Sequence, residues 1–322
     1  MGQSGLSLKA WLALLVVYII WGSTYLAIRV AIRTVPPFLA AGVRWCIAGT
    51  VMFTIGMRLR AENGERPKAP SARQWASAAV IGTALCLGGN GLVSVAEKRI
   101  ASGMAALLVA TVPLFAALFD FVRNRARVRA AVIGGLALGF AGTAVLVRPQ
   151  HGSAHVDLAG ALTVLVASAL WAGGSLYART AQLPERPAVS TGMEMLSGGI
   201  ALLIASAAGG EFGRFHAGDV SWRSALAVAY LIVFGSLVAF SAYVWLLRNV
   251  RISIVTTYAY VNPLVAVLLG WLILNETVSP SVFIGGAIIL AAVAIIVASS
   301  GGRAPVAEEM NRADLAMEEL PS

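Results

Sequence analysis

The chain has 322 residues, of which 58% are hydrophobic and only 12% charged, and it carries a formal net charge of +9. Its 24 basic and 15 acidic side chains cannot coat a soluble protein of this length, because ordinary soluble domains are about 25% charged. With a mean hydropathy of +0.81, the composition excludes a soluble enzyme and a disordered scaffold, and it makes the lipid bilayer the expected solvent.

A helix needs about 20 mainly apolar residues to cross the hydrocarbon core. Ten stretches meet this demand, here called segments 1 to 10: roughly 11–32, 38–58, 74–95, 101–122, 131–148, 158–178, 189–209, 224–247, 252–274 and 281–299. One lysine and no small-residue cleavage site accompany segment 1, so it is read as an uncleaved span and not a signal peptide. Segment 1 holds Trp21 and Tyr25, and segment 2 holds Arg44. Segment 3 contains Gly88-Gly89-Asn90-Gly91 and segment 4 contains Pro113. Thr143 is the one internal polar side chain of segment 5, which also offers a Gly135-x-x-x-Gly139 spacing for close helix contact. Trp171 and Tyr177 follow in segment 6, Glu194 in segment 7, Tyr243 in segment 8, and Tyr258, Tyr260, Asn262 and Pro263 in segment 9. Segment 10 has no polar side chain from Val282 to Ala298. Segments 5 and 10 are therefore expected at the periphery, with any polar cavity lined by segments 1–4 and 6–9. The acidic tail 301–322 reads as solvated and disordered, or as a short surface helix over Met310–Leu320.

The runs are too long and too uniformly apolar for a β-barrel. Basic residues set the orientation of such a bundle. With a cytoplasmic N-terminus, sixteen of the 24 fall on the cytoplasmic side, Arg123, Arg125, Arg127 and Arg129 among them, and six on the other, leaving Arg29 and Arg44 within segments. That split predicts both termini in the cytoplasm of a multi-pass plasma or inner membrane protein. It also removes nucleic acid as a partner, since the positive charge is spread over alternate loops. Cys46 and Cys86 lie in apolar runs and the three histidines in polar connections, so neither a disulfide framework, a metal site nor a cofactor is expected.

The chain repeats itself. A shift of 150 places Trp21 on Trp171, Gly42 on Gly192, Arg44 on Glu194, Gly49 on Gly199, Pro113 on Pro263 and Gly135 on Gly285. Segments 3 and 8 match under the same shift with weaker identity. Five segments per repeat is an odd number, so the second copy must enter the membrane from the opposite face. The expected fold is thus an all-α polytopic membrane protein, ten transmembrane helices arranged as two inverted five-helix repeats, residues 1–148 and 149–300. Inverted repeats recur in secondary transporters, with substrate near the midplane between the halves.

Several stretches carry a resemblance: Tyr18-Ile-Ile-Trp-Gly-Ser-Thr-Tyr25, Pro36-Pro37 with Gly42-Val-Arg44-Trp45, Ser102-Gly-Met-Ala-Ala with Ala110-Thr-Val-Pro-Leu114, Thr257-Tyr-Ala-Tyr-Val-Asn-Pro-Leu264, and Asn275-Glu-Thr277. Over residues 10–300 the chain resembles the drug/metabolite transporter superfamily in its ten-span EamA-type branch. The resemblance implies carriage, commonly export, of amino acids or other small metabolites. The family usually closes segments 4 and 9 with a Gly-Glu pair. Here Asn275-Glu276 keeps the acid after segment 9, whereas Arg125-Ala126 stands at the matching place after segment 4.

Charge inside a span costs at least about 2.5 kcal/mol and marks a polar site. Arg44 and Glu194 each lie six residues into their segments, from opposite faces. At about 1.5 Å per residue in a core about 30 Å thick, their Cα atoms stand about 12 Å apart along the membrane normal. They can bind the two ends of a zwitterion, Glu194 doubling as a proton site, or they can lock helices structurally. Trp21, Tyr25, Trp171, Tyr177, Tyr258, Asn90 and Asn262 are the further candidates for the substrate cavity; interfacial anchoring and interhelical hydrogen bonding are the alternatives for them. Of 12 prolines, Pro113 and Pro263 alone sit deep within segments, as paired hinges or fixed kinks.

The expected activity is secondary transport of a small molecule, not enzymatic turnover. Embedded serine chemistry would need a histidine inside the membrane, and no nucleotide-binding loop sequence is present. A facilitative channel or a membrane scaffold is the alternative. Protons are a possible coupling partner, and no obligate protein partner is indicated.

Overall fold

The computed structural model describes residues 7–59, 68–124, 130–147, 157–250, 255 and 258–300. The tail 301–322 and the stretches 60–67 and 125–129, the latter including Arg125-Ala126, lie outside them. All regular structure among the described residues is helical. Six helices are long and apolar enough to cross a membrane: Leu8–Ala31, Pro37–Arg58, Ala72–Ala96, Leu158–Ala178, Pro187–Ala208 and Trp222–Tyr243. They are segments 1, 2, 3, 6, 7 and 8. The other four expected segments contain shorter apolar helices, Ser102–Ala116, Ile133–Val145, Val261–Leu274 and Pro280–Ala292.

Local chemistry sets the helix ends. Ser7, Ser71, Asp157 and Ser221 cap segments 1, 3, 6 and 8, each accepting from a backbone N–H of the first turn. Pro37 and Pro187 open segments 2 and 7, where a missing N–H costs nothing. Segment 4 is interrupted. It runs as Ser102–Val109 and then Val112–Asn124, with Pro113 in the first turn of the second piece.

Segments 2 and 7 form the central pair, in contact through glycines. A Cβ on Gly42 would stand 2.7 Å from Leu203, and one on Gly192 would stand 2.5 Å from Phe53. A Cβ on Gly49 would meet Leu196 at 2.7 Å, and one on Gly199 would meet Cys46 at 2.7 Å. The 150 shift turns the first contact of each couple into the second with the partners exchanged. The two helices thus meet through like surfaces, as in a two-fold interface.

Segments 3 and 8 share another trait. Each contains a wide π-helical stretch, Thr83–Gly91 and Leu231–Val238, and the two overlap under the same shift. Local geometry therefore repeats where residue identity is weakest. Segments 5 and 10 pair with each other, a Cβ on Gly142 lying 2.8 Å from Ile288, while Gly139 closes on Leu114 of segment 4. Ile133, Phe283 and Ile284 on their outer faces are exposed, which suits lipid.

Candidate functional site

Arg44 is buried, only 4% exposed, where segments 2, 3 and 8 meet. Its Nε donates to Ser236 Oγ at 2.9 Å and its Nη1 to Asn90 Oδ1 at 3.4 Å. The guanidinium also lies 4.4 Å from the centre of the Trp45 ring, a cation–π placement. Both hydrogen-bond partners are neutral, and both stand on the π-helical stretches. Such wide turns re-aim side chains and expose carbonyls, and they recur at functional sites. Gly235 leaves room for the arginine, since a Cβ there would lie 3.3 Å from Nη2.

Trp21 reaches the same turn from segment 1, its Nε1 donating to the Gly235 carbonyl at 3.1 Å. Its ring lies 5.0 Å from that of Tyr243 and 5.2 Å, edge-on, from that of Tyr258. Asn262 is buried, and with its amide nitrogen toward segment 1 it donates to the carbonyls of Tyr18 and Tyr258, both at 3.2 Å. An aromatic wall from segments 1, 8 and 9 thus adjoins the Arg44 junction.

Glu194 is half-buried on segment 7, and its carboxylate takes part in neither of the ion pairs among the described residues. Its backbone carbonyl presses on Gly82 of segment 3. Cys86, between Gly82 and Asn90 on that segment, is within electrostatic range of both Glu194 and Arg44.

Tyr25 packs against the core cluster that includes Val93, Ala96 and Ile100, and it lies within electrostatic range of Tyr258. Trp171 covers Gly89, whose Cβ would stand 2.5 Å from the indole, and Tyr177 is 39% exposed. The structure therefore groups Arg44, Asn90, Trp21, Tyr258 and Asn262, brings Tyr25 near Tyr258, sets Glu194 against Gly82, and places Trp171 on Gly89. Pro263 lies inside the continuous helix Tyr258–Leu274, unlike Pro113 at its break. The side chain of Tyr260 lies outside the described residues. Ser236 and Gly235 went unnoticed in the sequence. Their signal was a lone hydroxyl and a glycine within the otherwise apolar Leu231–Val238.

Glu276 acts on the other half of the chain. Asn275 adopts a left-handed conformation (φ 53°) that turns the chain after segment 9. The Glu276 carboxylate then accepts from the backbone N–H groups of Ser102 and Gly103 at 3.0 and 3.4 Å and from Ser102 Oγ at 2.9 Å. It caps the start of segment 4, in the other half.

Residues 8–148, and again residues 158–298, match the EamA-like transporter family. The chain belongs to that family. The two matches stand 150 residues apart, the shift already evident in the sequence and in the reciprocal glycine contacts. The uncharacterized inner membrane transporter YedA of Escherichia coli (strain K12) is 40% identical over 285 residues, covering 88% of this chain and 89% of that protein. A WAT1-related chloroplastic protein of Arabidopsis thaliana is 26% identical over 296 residues, 89% of this chain and 69% of that protein. A solved crystal structure, 21% identical, superposes with a TM-score of 0.59 over 89% of this chain and 96% of its own, a likeness of fold. Membership of this family points to transport across a membrane in place of enzymatic turnover.

Proposed function

We propose that this protein is a secondary carrier that exports amino acids or related small zwitterions across the inner membrane. Alternating access would take place between two inverted five-segment repeats, residues 1–148 and 149–300, with both termini cytoplasmic. Buried Arg44 carries the proposal. Its partners Ser236 and Asn90 are neutral, so the guanidinium keeps its positive charge for a substrate carboxylate, which it can take in bidentate fashion. Glu194, without an ion-pair partner among the described residues, supplies the matching negative group for an ammonium. Trp21, Tyr243 and Tyr258 offer aromatic surface beside the Arg44 junction.

The experiment is counterflow of labelled amino acids, taken one at a time, in proteoliposomes. The wild type is expected to show saturable counterflow, and Arg44→Ala none. Wild-type counterflow in Arg44→Ala would overturn the assignment. Linear, unsaturable flux in the wild type would replace the carrier with a channel.

A further inference from the structure

Glu97 ends segment 3 at the end of the bundle where segment 4 begins. It is 0% exposed, and neither carboxyl oxygen meets a hydrogen-bond donor. Neither of the ion pairs among the described residues includes it. Burying a polar group without a partner is costly, and burying an unpaired charge far more so. Glu97 is also the C-cap of its helix, where the last carbonyls already present partial negative charge.

The groups around it do not offset that charge. From segment 1, Tyr25 and Arg29 face it. From the turn after segment 9, Glu276 faces it with a second carboxylate, already engaged with Ser102 and Gly103 at the start of segment 4. Arg29 directs its Nη1 to the Ile100 carbonyl at 3.4 Å. Lys98 and Arg99, next along the chain, are exposed, and Arg99 pairs with Asp157 at the start of segment 6 at 3.3 Å. Glu97 is thus sealed in without a donor, beside one arginine whose N–H points elsewhere and a like-charged neighbour. A neutral carboxylic acid suits that place, and an anion does not.

We propose that Glu97 is a proton-binding site at the non-cytoplasmic end of the carrier, protonated while that end is closed over it and deprotonated when it opens. On opening, the acid gives its proton to outside water, and the carboxylate left behind pairs with Arg29, whose guanidinium turns from the Ile100 carbonyl. No electrons are exchanged. The site lies seven residues along the chain from Asn90, the partner of Arg44 on segment 3, at the far end of segment 1 from the cytoplasm. It would let an outside proton govern closure of a substrate site to which it does not belong. The sidedness rests on the carrier reading above.

The site can be tested without a substrate. Infrared spectra of the full-length protein in lipid vesicles at neutral pH report neutral carboxylic acids by a carbonyl stretch that shifts in D2O. The wild type is expected to show that band, with a component lost in Glu97→Gln and kept in Glu194→Gln. Absence of the band in the wild type, or a band unchanged in Glu97→Gln, overturns the proposal. Should Glu97→Gln fail to fold, Glu97→Asp is expected to shift the band, and an unshifted band overturns it. In proteoliposomes supplied with a mixture of labelled amino acids, Glu97→Gln is expected to lose the response of transport to an imposed pH gradient; an unchanged response overturns the coupling. If no amino acid is carried, the substrate reading fails while the infrared result still decides the proton site.

Discussion

Arg44 and Glu194 rest on the same helix at two depths: the guanidinium of Arg44 bonds Asn90, and the backbone of Glu194 presses on Gly82, two turns nearer the start of segment 3. The repeat relates the two residues, yet their partners differ. Arg44 is held by neutral hydrogen bonds, and Glu194 has no ion pair to neutralise it among the described residues. Among the described residues, neither charge is taken up by a salt bridge.

Arg44→Lys tests whether charge alone suffices. A lysine ammonium is a point charge that cannot present the planar fork shared between Ser236 and Asn90. Each hydrogen bond to a charged group contributes about 1.5–3 kcal/mol, so Arg44→Lys is expected to weaken substrate affinity by about tenfold or more, with Ser236→Ala showing a smaller effect of the same kind. Concentration dependence of counterflow measures both. An Arg44→Lys variant with wild-type affinity would mean that positive charge is all the site requires.

Six of the expected apolar segments were legible because a helix that crosses lipid must be apolar over most of its length, and the ends of those six helices fall within a few residues of the expected bounds. The repeat was legible because Trp21, Pro113 and the glycines sit under one shift. The π-helical stretches were not, since widening a turn alters no composition. Ser236 and Gly235 could be recognised only once segment 8 was seen against Arg44. Glu276 was visible as an acid after segment 9, but its partner Ser102 lies in the other half, and no local pattern connects them.

Gly82→Ala should separate segments 3 and 7. The added Cβ would meet the backbone carbonyl of Glu194, which cannot rotate aside as a side chain could. Overpacking of this sort costs about 1–3 kcal/mol, and a lowered melting temperature in detergent is expected together with loss of transport. Gly134→Ala is the control. Nothing lies within 4 Å of its Cβ, and alanine in a helix interior is favoured by about 1 kcal/mol over glycine, so this variant should be at least as stable as the wild type.

Glu276 joins the two halves at one end of the bundle. Glu276→Ala removes an acceptor for two backbone N–H groups and the Ser102 hydroxyl. A lost helix cap costs about 0.5–2 kcal/mol, and the charge-assisted character of these bonds places the expected loss toward the upper end. Glu276→Gln, which keeps one acceptor oxygen, should fall between. Thermal unfolding of the three proteins side by side gives the order; equal midpoints would mean that the cap contributes nothing.

Asp157 predicts a pH dependence at the same end. The backbone N–H of Gly160, donating at 2.8 Å, and the Arg99 guanidinium hold its carboxyl below the usual carboxylate range. A depressed value means that the folded state favours the anion. The stabilisation is present above the unfolded value, which is near 3.8, and is lost as the pH falls through the lower folded value. Asp157→Ala is therefore expected to melt below the wild type at neutral pH, with the gap closing as the medium is acidified past that range. A gap that stays constant with pH would assign the whole effect to something other than the carboxylate.

Pro113 and Pro263 occupy matching positions but not matching structures. Segment 4 is broken between Val109 and Val112 just ahead of Pro113, whereas Pro263 is accommodated inside the helix Tyr258–Leu274. At the break, Thr111 bonds back to the Leu108 carbonyl through both its N–H and its hydroxyl, and Leu114 and Phe115 both donate to the Thr111 carbonyl. The joint is thus a self-satisfied turn between two helical pieces, able to bend without exposing backbone to lipid. Pro113→Ala restores a donor and permits a continuous helix, which would stiffen segment 4 beneath its Glu276 cap. It is expected to raise thermal stability slightly and slow counterflow. Pro263→Ala should alter counterflow less, because the helix there is already continuous. Stopped-flow counterflow on both variants decides the matter: equal slowing would make the two prolines symmetric hinges, and no slowing in Pro113→Ala would make the break a fixed feature of packing.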